Sequence, residues 1–577
     1  MRLLPGQLGF LRGHVSQPDS AAHTVAMTGL LIDGPCDPAT LRHALEATVA
    51  EATAIQLRVR AEDGGELVIG SGPIRVETVQ FASHTEYDSW VTTRTAQPFR
   101  LNGEPLFAAY MLDIAGQIGF SLVAHHAVAD GYTALLLWRR IGELYRALCA
   151  GLTPPPSGFA DPETICASYE STPVDRDQWI DRIGTATWPN PRLSPADGAA
   201  APQDPPLRER TLLKVTPTDP TWPKRAIGLV GAYVARITGN RRAIVGAVLT
   251  NRRTAAEQST PLSMTTVVPI RLDFAPGTDG VDLVNQVSAG MEAADRGRID
   301  VPELFLSVPG VLRTGRLYGP TVNVIPFLQD RLPEWSVTLH SLGPVPDMHV
   351  VFLGEPNGRI NLRTEFNPAL YSQQEARRHT DRLAAWLDVV LADPAAVVRK
   401  HELLLPDECR RHAALADDAT SASGSPAPLT WGKPCSPADL GYAAEIERPL
   451  GITVTDDFGL AVPFGATGTV TVLTADGPRP TDLLVALTER ECIFHGRASE
   501  RLRVPGGFIE VGALDRLLTR MPDGSADPDV EDVEVDPGPP ISVRVHSRDD
   551  SRSSLGDELR RRLPRGIKLA SVTPRPS

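Results

Sequence analysis

The sequence lacks most of the common signatures of a bound metal, a membrane or a nucleic acid. Its six cysteines (Cys36, Cys149, Cys166, Cys409, Cys435 and Cys492) are scattered and none forms a Cys-x-x-Cys pair. Neither a zinc site nor a disulfide framework is indicated, and a reducing cytoplasm is the expected compartment. The thirteen histidines show no metal-ligand spacing apart from one adjacent pair. No stretch approaches the roughly eighteen consecutive apolar residues of a membrane span, and the opening Met1 to Gln7 lacks the apolar run of a signal peptide. Basic residues (57) are outnumbered by acidic ones (70), and the net charge of -13 argues against nucleic acid as the main partner. There is no internal repeat and no heptad run.

A chain of 577 residues with 42% hydrophobic content is too long for one core, so roughly two to four domains are expected. The first 150 residues alternate strand and helix signals. Asp37 and Pro38 open a helix to Glu51, with Leu41, Leu45 and Val49 at helical spacing. Strands are expected over 56–60, 106–114 and 119–126. A helix is expected over 132–148, with a stripe of Leu135, Trp138, Ile141, Leu144, Tyr145 and Leu148. Residues 157–210 are loop-rich. A second alternating block has helices expected over 222–237, 282–293 and 373–391, with strands over 242–249, 264–271, 349–353 and 360–365. Small polar residues over 414–429 read as a linker, and from about 445 the pattern changes to short strands and turns.

One segment carries chemistry: Ala124-His125-His126-Ala127-Val128-Ala129-Asp130-Gly131. Alternation along a strand puts Phe120, Leu122, Ala124 and His126 on one face and Ser121, Val123 and His125 on the other. At most one of the two histidines is therefore a catalytic base. A neutral imidazole, with an unperturbed pKa of about 6.5, suits proton transfer from an attacking amine or hydroxyl. Three roles are open to Asp130: a cap for the following helix, a partner for an arginine, or a contact to the base. Gly131 allows a tight turn and leaves room for a substrate, and amides at the start of the helix are placed to stabilise an oxyanion. Taken singly, each of these residues is more often structural. Their combination at this spacing points to acyl transfer.

With its surroundings, this His-His-x-x-x-Asp-Gly stretch resembles the condensation domains of nonribosomal peptide synthetases. Leu4 to Leu11 is similar to the opening Leu-Ser-x-x-Gln motif. Pro98 to Leu101 and Glu104 to Leu106 resemble the pair before the histidine strand, and Met264 to Arg271 the Asn-x-Leu-Pro-Leu-Arg strand. Tyr318 to Phe327, Gly343 to Asp347 and Asn367 to Tyr371 look most like the siderophore, enterobactin-like type. The resemblance covers about residues 1–408. It implies an α/β (α+β) fold with two chloramphenicol-acetyltransferase-like lobes in a V-shaped pseudo-dimer, placed here at 1–180 and 181–410. A linker at 411–440 and a small α+β domain at 441–577 would follow.

The resemblance also implies roles. His126 is the catalytic second histidine, His125 is structural, Gly131 lines the channel, and Asp130 pairs with an arginine. The family's Arg-His-Glu-x-Leu-Arg motif reads Thr53-Ala54-Ile55-Gln56-Leu57-Arg58 here, which makes Arg58 the expected partner. No cofactor or metal is expected to bind the chain. Substrates are expected on the phosphopantetheine of donor and acceptor carrier proteins, with a small-molecule acceptor as another option. Residues 450–570 resemble the end of an adenylation domain, through 465–470, 479–483 and 494–503. A Ser/Thr/Gly-rich loop followed by Pro-Lys-Gly is missing, as are a Gly-Gly-x-Ser carrier site and a Gly-x-Ser-x-Gly elbow. The expected activity is a free-standing condensation enzyme making an amide or ester, with adenylation inactive. A CoA-dependent acyltransferase and a non-catalytic scaffold are the alternatives. An epimerisation role ranks low, because Tyr132 to Trp138 departs from that class.

Overall fold

The computed structural model describes residues 3–31, 36–62, 67–169, 179, 193, 205–239, 241–297, 317–325, 335–355, 357–417, 428–429, 433–446, 449–456, 459–504, 507–509, 511–519, 527–536, 541–548, 555–563 and 567–574. The 414–429 linker falls largely outside them. Its first residues, 414–417, belong instead to a helix, Pro406–Asp417, because Leu415 is buried in the neighbouring core. Much of the loop-rich 157–210 region is also outside the described residues.

The first sheet begins from a hairpin. Phe107–Ile114 and Gln117–His125 pair antiparallel across Ala115 and Gly116, whose φ of 53° and 89° suit a two-residue turn between twisted strands. Thr24–Leu31 pairs on the far side of Gln117–His125, and Val76–Phe81 pairs parallel with Phe107–Ile114. Two helices with the expected caps pack over the sheet. The Asp37 carboxylate accepts from the Ala39 amide at the start of Pro38–Glu51. The Asp130 carboxylate accepts from the Thr133 amide at the start of Gly131–Cys149. The buried face of the second helix includes Leu135, Trp138, Ile141 and Leu144, as its periodicity predicts. Trp138 lies so close to the Thr24–Leu31 strand that a Cβ on Gly29 would sit 1.7 Å from its ring.

The second sheet has six strands in the order Thr266–Asp273, Arg242–Leu249, Thr321–Ile325, Met348–Gly354, Ile360–Phe366, Leu207–Leu212. Helix Trp222–Thr238 is buried at every position from Arg225 to Ile237, as befits a helix enclosed by other layers. Gly280–Gly297 and Gln373–Val390 complete this lobe.

The two lobes are not separated at one residue number. Strand Trp335–Leu342 follows Thr321–Ile325 in the chain, yet it pairs with Thr24–Leu31 at the edge of the first sheet. The expected division at 181 therefore puts a strand of the first lobe's sheet into the second. Trp335 explains the placement: its ring meets Phe120 and Trp138 in the first lobe's core at 5.1 and 6.3 Å.

Two pieces follow, where one small domain was expected. A five-stranded sheet built from Pro434–Cys435, Gly451–Thr455, Thr467–Thr474, Gly477–Leu487 and Cys492–Arg497 shares the second lobe's core. Buried Glu408 helps join them, accepting from Arg382 and from the Phe464 amide. The last piece, strands Val530–Asp536, Ser542–Ser547 and Lys568–Pro574 with two helices, has its own core around Leu514, Val543, Val545 and Leu559. No helix among the described residues is long and apolar enough to cross a membrane.

Candidate active site at the seam of the two lobes

The strand carrying the histidine pair ends at His125, and His126 begins the turn into the helix. The turn is closed by the Val128 amide donating to the His125 carbonyl. Each flank anchors it. The His126 amide donates to the His23 carbonyl at 2.7 Å. The Ser263 hydroxyl donates to the His126 carbonyl at 2.7 Å, and the Gln7 side chain donates to the Ala127 carbonyl at 2.8 Å. Helix Pro5–Ser16 and the second lobe thus grip two consecutive residues, His126 and Ala127.

The two imidazoles lie in different surroundings, although only His125 belongs to the strand and His126 is the first residue of the turn. His125 is turned into a buried cluster. Its Nδ1 accepts from the Ala127 amide, and its ring lies 5.1 Å from His14 and 5.6 Å from His23. His126 lies against Phe10, ring centroids 4.1 Å apart and planes 10° from parallel. Its Nδ1 has no hydrogen-bond partner. Burial pulls its pKa below the ordinary imidazole value, against the opposing pull of the Asp130 charge and the carbonyls of His126 and Ala129. A neutral ring at pH 7 is the form a proton acceptor needs.

Gly343, on the chain returning from the crossing strand, closes the other side. Its φ is 100°, and an added Cβ would meet His126 Cδ2 at 2.5 Å and Nε2 at 3.2 Å. Both the left-handed backbone and the close approach select glycine. Gly343→Ala is expected to displace the imidazole and to lower transfer roughly 100-fold. Steady-state rates at matched thermal stability measure this, and an unchanged rate would show that the ring does not need its present position.

Asp130 is wholly buried and saturated. Besides Thr133 it accepts from the Met264 amide at 2.9 Å, and from the Thr265 amide and hydroxyl at 3.0 and 2.9 Å. Two Arg252 nitrogens approach it at 3.1 and 3.2 Å. Burial raises the carboxyl pKa, but Arg252 and these hydrogen bonds outweigh it and hold the group ionised, well below the usual carboxylate range. Arg252 also lies over the Tyr132 ring, 4.5 Å from its centroid.

The expected Asp130–Arg58 pair does not exist. Arg58 sits on strand Leu57–Ala61 and donates to the carbonyls of Gly103 and Pro73. The second lobe presents Arg252 to the same carboxylate. Sequence reading missed Arg252 because its link to Asp130 spans 122 residues. The one available signal was its position three residues beyond the Arg242–Leu249 strand. Gly131 is exposed, with nothing within 4 Å of a built Cβ and no left-handed backbone. Neither strain nor packing requires glycine there.

Behind the site, His14, His23 and His125 each keep one buried nitrogen without a partner. Burial lowers all three pKa values, that of His23 to about 4. Such histidines bind fewer protons folded than unfolded, where the value is about 6.5. Their stabilisation is therefore present above that pH and is lost as the pH falls from 6.5 toward 4. Denaturant midpoints should drop between pH 7 and pH 5, and less steeply in His23→Gln. Parallel slopes in the two proteins would contradict this.

A two-lobed α/β acyltransferase-type fold with a histidine at the lobe seam is the class these features define. Residues 2–161 match the model of the Condensation domain family. The chain is similar to a dimodular nonribosomal peptide synthase of Bacillus subtilis, 25% identical over 70% of this chain and 18% of the relative. An isonitrile lipopeptide synthase of Streptomyces coeruleorubidus is 26% identical over 82% of this chain and 35% of the relative. Enterobactin synthase component F of Escherichia coli is 24% identical over 67% and 32%. The chain spans about a third or less of the length of these relatives. Among solved structures, a variant starter condensation domain of rhizomide synthetase in complex with C8-CoA has a TM-score of 0.62 at 24% identity, covering 69% of this chain and 96% of that one. The first condensation domain of the calcium-dependent antibiotic synthetase, in complex with a substrate analogue, has a TM-score of 0.58 at 24% identity, covering 70% and 98%. At these identities the two structures share the fold.

Proposed function

We propose that the chain transfers an acyl or aminoacyl group from a phosphopantetheine thioester to an amine acceptor, giving an amide, or to a hydroxyl, giving an ester. The observation that carries this reading is His126. It is a neutral imidazole with an unpartnered nitrogen, fixed at a seam to which both lobes contribute. The nucleophile attacks the thioester carbonyl and gives its proton to His126. The carbon–sulfur bond breaks, and the departing thiolate takes that proton from His126, which returns to its neutral form. Orientation and proton handling are the tasks left to the protein. Asp130 takes no part in proton transfer in this reading, because its oxygens are committed to Arg252, Met264, Thr265 and Thr133. The space beside Gly131 is left for the substrate.

Carrier proteins are the proposed donor and acceptor partners, and the chain itself is proposed to bind no cofactor. The sheet over 467–497 carries the stretches similar to an adenylation domain, with Arg497 paired to Asp482 at 2.7 Å. We assign that region a supporting role without amino-acid activation. The test uses octanoyl groups on CoA and on a carrier protein as donors, with leucyl-N-acetylcysteamine as acceptor. Faster transfer from the carrier supports this function, and transfer from CoA alone favours a CoA-dependent acyltransferase. Absence of product with every donor, alongside measurable binding of loaded carrier, would leave only a scaffold.

A further inference from the structure

Two of the cysteines that are scattered in the sequence meet in the fold. Cys435 lies on the two-residue strand Pro434–Cys435, and Cys492 opens the strand Cys492–Arg497, 57 residues further on. The strands pair antiparallel, and Cys435 stands directly opposite Cys492. Residues so placed have Cα atoms about 4.5–5.5 Å apart and side chains on one face of the sheet. A disulfide spans Cα separations of about 4.4–6.8 Å. The Cys435 sulfur already points at the partner residue, donating to the Cys492 carbonyl at 3.4 Å. Both residues are free thiols in this structure.

The strand that carries Cys435 is weakly held. Among the described residues it is the edge of its five-stranded sheet and pairs over two residues, Pro434 and Cys435. Pro434 brings no amide hydrogen to that pairing. Lys433 adds one bond, its carbonyl accepting from the Phe494 amide at 3.0 Å. Cys492 is buried and Cys435 half-buried. Burial pushes the Cys435 thiol up to about 12, with Cys492 and Asp439 adding to the rise. Burial likewise pushes the Cys492 thiol up to about 11, against the pull of the Arg411 charge. The thiolate is the attacking species in disulfide exchange, so both thiols react slowly near pH 7.

We propose that Cys435 and Cys492 are a disulfide-forming pair, which staples the edge strand to its sheet in the presence of a small-molecule disulfide such as glutathione disulfide. Cys435, the more exposed of the two, attacks one glutathione sulfur as its thiolate. The glutathione disulfide bond breaks, and one glutathione leaves. Cys492 then attacks the Cys435 sulfur and displaces the second glutathione. Two protein thiols are oxidised, one glutathione disulfide is reduced to two thiols, and the protons of the two cysteines end on the two glutathiones. The link closes a loop across 57 residues, which restricts the unfolded chain. It does so in a sheet that shares the second lobe's core.

The experiment incubates the folded full chain with glutathione disulfide at pH 8 and blocks the remaining thiols with iodoacetamide. Peptides are then mapped by mass spectrometry without reduction. A peptide cross-linked between Cys435 and Cys492 is expected, reversed by dithiothreitol and absent from Cys435→Ser. Oxidation should raise the melting temperature by roughly 3 °C, a rise that Cys435→Ser should not show. Cys149 and Cys409 are exposed and report that the reagent has acted. Cys435 and Cys492 recovered as thiols, or each carrying its own glutathione, after those two have reacted would overturn the pairing. A cross-link that leaves the melting temperature unchanged would overturn its role as a staple.

Discussion

His126→Ala is expected to lower acyl transfer by about 10²–10⁴-fold, the range contributed by a positioned general base, without a matching loss of stability. The ring is an end group in the structure. Its neighbours hold the backbone of residue 126 through the His23 carbonyl and the Ser263 hydroxyl, and neither bond involves the imidazole. Removing the ring leaves a gap against Phe10 and Gly343 while the turn keeps its anchors. His125→Ala should behave in the opposite way. That ring fills the cluster with His14, His23 and Phe99, so its loss should lower the melting temperature before it affects the chemistry of surviving folded protein. Product formation from carrier-bound octanoyl donor, set beside thermal melts of both variants, checks the pair. Equal turnover in His126→Ala and wild type would remove His126 from the chemistry.

Arg252→Ala is expected to cost about 3–5 kcal/mol, the usual penalty for leaving one member of a buried ion pair without its partner. Asp130 would keep its amide donors but lose both guanidinium contacts, in a site from which water is excluded. Arg252→Lys should restore only part of the loss, because an ammonium cannot make the two-pronged contact. Arg58→Ala should cost about 1 kcal/mol at most, since Arg58 serves two carbonyls far from the site. The pH dependence has a definite sign. Asp130 has a depressed folded pKa, so its stabilisation is present above the unfolded value of about 3.9 and is lost as the pH falls below it. Arg252→Ala should therefore show a shallower acid loss than wild type. Urea unfolding at pH 7 and pH 3 measures both effects. A variant as stable as wild type at pH 7 would show that the seam does not depend on this pair.

The sequence by itself determined the local elements of the site. A strand running into a turn and then into an amphipathic helix was legible from period-two and period-3.6 patterns, and the helix Pro38–Glu51 has the bounds its cap and proline imply. An N-cap was one of three roles open to Asp130, and opposite sides for the two histidines followed from the alternation expected of a strand. What only the tertiary structure decided is which distant residues meet that turn. Arg252 replaced Arg58 as the partner of Asp130, and Phe10 and Gly343 pack against His126. The division at residue 181 failed for the same reason, since Trp335–Leu342 is drawn back to the first sheet by the core around Phe120 and Trp138. Periodicity reports which face of an element is buried. It carries no information on which other face, one or two hundred residues away, buries it, and the seam between the lobes is made wholly of such contacts.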